Sequence, residues 1–154
     1  MRAISSARDA MQKLLVDSGP LVALFDASDR WHEPVAAFLK EYRGELVTSA
    51  ANVTEAAWIT ASASHQLLVN LLTWLNRGAV TVHNVEPGDF GRIAALAVRY
   101  RTLRPDFADL ALLALAERLK TDRILTLDKR DFSVYRLRNG RSLRNVLTGQ
   151  ATRP

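Results

Sequence analysis

Two short hydrophobic runs of the chain each lead into an aspartate: Leu14-Leu15-Val16-Asp17 near the start and Ile124-Leu125-Thr126-Leu127-Asp128 near the end. Between them, Glu55 and the pair Asp106/Asp109 stand at the starts of two helix-like stretches. In an α/β fold, ligands gather in the crevice beyond the carboxyl ends of parallel strands. Asp17 and Asp128 are therefore expected where chemistry is done. Carboxylates collected there would repel by about 4 kcal/mol per unit-charge pair, at about 4 Å and an effective dielectric of about 20. A cation must relieve them, and hard divalent ions such as Mg²⁺ or Mn²⁺ prefer oxygen ligands. The chemistry this points to is metal-dependent hydrolysis.

Each acid also has an ordinary explanation. Asp17 can cap the helix that follows its strand, a common use of Asp at strand-to-helix turns. Ser18 beside it can orient a ligand or share the capping. Glu55 sits among small and apolar residues with no Lys or Arg within four positions. Its plain reading is an exposed helix glutamate, with Asn52 one turn earlier as its expected bonding partner. Asp106 and Asp109 are three apart and share one side of a helix, where first-turn acids complement the macrodipole. Asp109 heads the apolar run Leu110 to Ala116 and should face inward. Asp128, with Asp131 after it, can simply form a turn. His32, His65 and His83 lie outside these segments at spacings that match no helical or hairpin zinc pattern.

The elements that must position these acids can be read from periodicity. Strands are expected at Lys13 to Asp17, Glu45 to Thr48, Ala79 to Val85 and Arg123 to Leu127, with a short fifth at Val134 to Arg136. Helices are expected from Ser18 to Asp26, Trp31 to Tyr42, Ala50 to about Ala61 with Ser49 as cap, and His65 to Asn76. Two more begin at Pro87 and at Pro105, the latter spanning Asp106 to Leu119. Short strands alternating with longer helices predict an α/β fold, a three-layer sandwich with a central parallel sheet of four to five strands and helices on both faces. Trp31, Trp58 and Trp74 all fall in helical stretches, where core or dimer packing is expected in preference to base stacking.

At 154 residues, the chain suits one compact domain. We divide it into a lead-in over 1–12, a domain over 13–146 and a basic tail over 147–154. It has no cysteine, which excludes disulfides and thiolate metal sites and suits a reducing cytoplasm. No secretory or membrane-spanning segment is expected. The formal charge of +5 resides entirely in Arg136, Arg138, Arg141, Arg144 and Arg153, a stretch with no acid. A basic end beside an acidic pit suits a polyanionic substrate such as RNA. A solvated terminus or a docking surface for an acidic partner would carry the same charge.

The order strand-Asp, helix-Glu, helix-Asp, strand-Asp, carried by VDSGPLVALFD (16–26), TSAANVTEAAWI (48–59), DFADLALLALAERL (106–119) and ILTLDKRDFSVYR (124–136), resembles the PIN-domain family. Within that family it resembles the VapC-type toxins of bacterial toxin–antitoxin pairs. The likeness runs from about Leu14 to Arg144 and is most specific in its last two stretches. It implies a cluster of acids, Asp17, Glu55, Asp109 and Asp128, with Asp17, Asp109, Asp128 and Asp106 as ligands of Mg²⁺ or Mn²⁺. Asp131 is a weaker accessory candidate. It further implies an endoribonuclease leaving a 5′-phosphate and a 3′-hydroxyl, a homodimer, and a cognate antitoxin protein that blocks it. Where the family usually has Ala after the third acid, this chain has Leu110.

Rival readings are a catalytically silent PIN-like module that binds nucleic acid or protein, and a phosphotransfer receiver or phosphatase. A pure binder gains nothing from mutually repelling acids. A receiver needs adjacent acids after the first strand and a late strand-end Lys. An aspartyl-phosphate phosphatase needs a second Asp two residues after the first, where this chain has Gly19.

Overall fold

The computed structural model describes residues 12–147. The expected lead-in and tail, Gln12 and Leu147 apart, lie outside the described residues, as does Arg153. Twelve elements follow in order: β1 (Lys13–Val16), α1 (Ser18–Phe25), α2 (His32–Glu41), β2 (Glu45–Ser49), α3 (Ala50–Ala63), α4 (His65–Asn76), β3 (Thr81–His83), α5 (Asp89–Arg99), α6 (Phe107–Leu119), β4 (Arg123–Leu125), α7 (Lys129–Val134) and β5 (Arg144–Asn145). The strands form one parallel sheet in the order β3-β2-β1-β4-β5. The α/β architecture expected from the sequence is the one observed.

Alternation along the strands divides the core in two, because successive side chains leave a strand on opposite faces. Leu15, Val47 and Ile124 pack with α5, α6 and the Phe132/Tyr135 region on one face. Leu14, Val16 and Leu125 pack with α1, α3 and α4 on the other. In α6, residues Ala108 and Leu110 through Ala116 are all buried, so this helix is apolar nearly all round. Asp109 is the one exception in that run. The helix stops at Lys120, whose left-handed φ of 56° closes the C-terminus.

The sheet departs from expectation at three places. The third strand is confined to Thr81–His83, an exposed edge, rather than Ala79 to Val85. The fourth ends at Leu125, so Asp128 lies beyond the strand and not at its end. Val134 to Arg136 is not the fifth strand. Asp128 accepts from the Asp131 amide and starts α7 instead, which buries Phe132. The fifth strand is Arg144–Asn145, while Arg136 makes only an isolated antiparallel bridge to Ser142. No helix among the described residues is long and apolar enough to cross a membrane.

Candidate active site

Asp17 follows the last residue of β1, the central strand, and is only 7% exposed. Its backbone amide donates to the Leu125 carbonyl across the sheet. One carboxylate oxygen accepts from the Ser18 amide (2.7 Å) and the Asn52 side-chain amide (3.2 Å); the other accepts from the Thr126 hydroxyl (2.7 Å). A carboxylate offers about four lone-pair positions, so this set locks the group while leaving capacity for a ligand. Burial pushes its pKa up to about 6, against the pull of Thr126 and Ser18, and the charges of Glu55 and Asp128 push the same way.

Asn52 does not bond to Glu55 as its spacing suggested. It is fully buried, bonds to Asp17 and Ser18, and is held in turn by Ser49, the α3 cap. Glu55, one turn further along α3, is half-buried and makes no hydrogen bond or ion pair with another described residue. Thr126, whose place in the 124–136 motif signals no role of its own, ties two acids together. Its hydroxyl donates to Asp17 and accepts from the Asp128 amide (3.0 Å). Asn145 clamps the Thr126 backbone from the β5 side through both its amide and its carbonyl oxygen.

Asp106 caps α6 by accepting from the Asp109 amide (2.9 Å), so it stands before the helix and not within it. Asp109 is half-buried, with the Tyr135 hydroxyl reaching it at 3.5 Å. Its pKa rises to about 8, first through burial and then through Asp106, Asp17, Asp128 and Glu55. Burial and the charges of Asp109, Asp131 and Asp128 push the Tyr135 phenol well above its ordinary value. Asp109 thus feels the charge of each of the other four candidate acids, and Asp17 that of Glu55 and Asp128. Asp131 lies at the margin of this group, in the first turn of α7.

None of these acids forms an ion pair with another described residue. The opposite holds in a cavity of about 720 Å³ at the other end of α6, lined by Arg92, Glu117, Arg118, Arg138 and Arg141. There Arg92 meets Glu117 at 2.7 Å, and Arg141 meets Asp122 at 3.6 Å. Acids in that cavity have guanidinium partners, whereas those at the sheet edge form no ion pair among the described residues. Among the described residues, no three His, Asp or Glu side chains stand as a ready-made metal cage. The oxygen-only donor set still fits a small hard cation, because Mg²⁺ keeps several of its waters and takes one or two carboxylates directly.

Around this edge, Lys129 lies 5.2 Å above the half-buried Trp31 ring and Arg130 is exposed. Trp74 packs edge-on against Phe25 in the core. Trp58 does not join the core; it is 73% exposed on α3.

Comparison with known proteins agrees with this architecture. The sequence profile of the PIN domain matches residues 14–137. Ribonuclease VapC26 of Mycobacterium tuberculosis is 31% identical over 124 residues, covering 80% of this chain and 92% of that protein. The crystal structure of VapC20 from the same species, a sarcin-ricin loop cleaving toxin, superposes with a TM-score of 0.71 at 18% identity, over 76% of this chain and 91% of that one. A toxin–antitoxin complex from Klebsiella pneumoniae gives 0.60 at 20% identity, over 79% and 91%. Profile, relative and fold agree: the chain belongs to the PIN-domain family, in its VapC-type branch.

Proposed function

We propose that this protein is a Mg²⁺- or Mn²⁺-dependent endoribonuclease, the toxin of a VapBC-type pair acting in the cytoplasm. The observation that carries the reading is the uncompensated acid cluster at the carboxyl edge of the central strands. Asp17, Asp109 and Asp128 hold the ion, with Asp106 as a further oxygen donor. When bound, such an ion neutralises charge at the scissile phosphate and activates water. Thr126, Asn52 and the Ser18 amide fix the Asp17 carboxylate so that it enters the reaction without reorganising. Glu55, with no hydrogen-bond or ion-pair partner among the described residues, positions the attacking water or completes the ligand set. Lys129 and Arg130 steady flanking phosphates. The VapC26 relative, itself called a ribonuclease, supports RNA as substrate.

Protein partners belong to the same reading. A cognate antitoxin is supported by the fold shared with a toxin–antitoxin complex. A homodimer is supported by apolar side chains left outside the core on α3 and α4, where Trp58, Ile59, Val69 and Leu72 are exposed.

Incubation of purified protein with structured RNAs in Mg²⁺ or Mn²⁺ tests the proposal. Cleavage is expected to stop with chelator and in Asp17→Asn, and Asp128→Asn should weaken Mn²⁺ binding in calorimetry. Equal cutting by wild type and Asp17→Asn would assign the activity to another site. RNA binding without cutting, and without metal uptake, would favour the silent module.

A further inference from the structure

The arginines toward the C-terminus take no part in the acid cluster. Arg136 is engaged locally, its guanidinium donating to the Ser133, Val134 and Tyr135 carbonyls. Arg138 and Arg141 instead line the cavity of about 720 Å³ at the C-terminal end of α6. They lie on a turn closed by the Leu137 amide donating to the Arg141 carbonyl, with Gly140 at a φ of 81°. The Arg138 amide donates to Glu117 (2.8 Å), which fastens the turn to the end of the helix.

The cavity walls carry five cations against three acids. Each acid already has a guanidinium beside it: Arg92 at Glu117, Arg118 at Asp89 and Arg141 at Asp122. Lys120 is exposed and forms no ion pair with another described residue. Arg138 stands 3.9 Å from a Glu117 that Arg92 already holds at 2.7 Å. The Arg138 and Arg141 side chains are 74% and 70% exposed. Ion pairs so exposed contribute little, so both guanidiniums can turn to a stronger anion. Arg144, also exposed, starts β5 at the rim, where its amide donates to the Asp122 carbonyl.

We infer that this cavity is a second RNA contact, in which Lys120, Arg138 and Arg141 hold backbone phosphates of the molecule that is cut at the acidic edge. Guanidinium groups match phosphate oxygens two at a time, which suits two exposed arginines to this task. Lys120, the cap of α6, lies eleven positions beyond Asp109, about 16 Å along the axis at about 1.5 Å per residue. A stacked strand covers that distance in about five nucleotides, at about 3.4 Å each. An acidic protein is the less suited occupant. Protein interfaces draw their affinity from aromatic and other large anchors seated in pockets. This cavity has no aromatic wall, and its Ala114, Ala116 and Leu137 are buried. The same lack of rings makes it a backbone contact and not a reader of bases. It adds affinity without sequence preference and favours RNAs long enough to reach both sites.

The inference rests on the nuclease reading, and its test separates the two. A labelled stem-loop RNA is titrated with the full chain in Ca²⁺ at rising salt, with fluorescence anisotropy as the readout, while cleavage of the same RNA is followed in Mg²⁺. Lys120→Gln, Arg138→Gln and Arg141→Gln combined should reduce the slope of log affinity against log salt by about two to three. The advantage of wild type then shrinks about 15- to 40-fold between about 50 mM and about 200 mM salt. Lys120→Gln and Arg138→Gln alone should each lower the slope by about one. KM for the RNA should rise while kcat holds. Arg138→Lys with Arg141→Lys keeps both charges and should keep the wild-type slope. An unchanged slope and KM in the glutamine variants would overturn the inference, as would a lysine variant whose slope falls as far. So would glutamine variants that keep RNA affinity but lose an acidic protein bound by wild type, which would make the cavity a protein surface. A lowered slope with no cleavage by any form would keep the RNA contact and reject the nuclease; cleavage by every form with one slope and one KM would do the reverse.

Discussion

At the scale of single residues, the capping and ligand readings of the acids are compatible. Asp17, Asp106 and Asp128 each cap a helix, and a cap bond fixes a carboxylate without consuming all of its acceptor capacity. Thr126 tests whether that fixation matters for function. Thr126→Val keeps the shape but removes the donor to Asp17 and the acceptor for the Asp128 amide. Groups that orient metal ligands typically contribute 10- to 100-fold in affinity or activity. We expect Mn²⁺ affinity and kcat/KM to fall by about that factor with the secondary structure intact, as read by calorimetry and circular dichroism. Unaltered metal binding would reduce Thr126 to a space-filling residue. The acids themselves were legible in the sequence because strand and helix starts can be read from hydrophobic runs. Their supports were not. Asn52 reaches Asp17 across 35 positions and Thr126 does so across 109, and hydrogen bonds of that span leave no periodic trace. Asn52 also shows how local spacing misleads, since its helix neighbour Glu55 was available but the distant Asp17 and Ser18 were the groups left buried beside it.

At the scale of elements, α6 decides how the site is built. A helix buried on nearly every side cannot rotate to relieve a badly placed acid, so Asp109 is held toward the pit by the packing of Leu110 to Ala116. Asp106 contributes both a cap and a charge to this arrangement, and two substitutions separate them. Asp106→Asn retains capping ability, whereas Asp106→Ala loses it at a cost of about 0.5–2 kcal/mol. In thermal melts only the alanine variant should be markedly less stable. Both should weaken Mn²⁺ binding, because both remove a negative charge from the neighbourhood of Asp109. Should the asparagine variant bind Mn²⁺ as wild type does, Asp106 is a structural cap alone. The helices were readable because each carries a long apolar stripe and recognisable start residues, with His65–Asn76 matching its expected span. Short strands were harder. Val134 to Arg136 has strand-forming residues, but the Asp128 cap and the burial of Phe132 and Tyr135 carry the chain through a helical turn first. Arg144–Asn145 is too brief for any alternation, and it pairs with β4 because Asn145 and the backbone meet that strand's edge.

For the whole molecule, gathering acids without counter-charge makes stability depend on protons and on metal together. The folded pKa values of Asp17 and Asp109 rise from an ordinary 3.8 to about 6 and about 8. Between those limits the folded chain binds more protons than the unfolded chain, so stability falls as pH increases. The contribution is fully present below about pH 4 for these two groups and is lost as the pH passes 6 and then 8. For these two groups the clearest window lies between about pH 5 and about pH 8.5. In chelator, the melting temperature should decline steadily across that window. Saturating Mg²⁺ or Mn²⁺ binds the folded state alone and supplies the missing positive charge, so it should raise the melting temperature most at the alkaline end and flatten the decline. Asp109→Asn removes the higher of the two titrations and should flatten the chelator curve without metal. A melting temperature that is constant across that window in chelator, or that responds equally to metal at both ends, would mean that Asp17 and Asp109 do not titrate in this raised range.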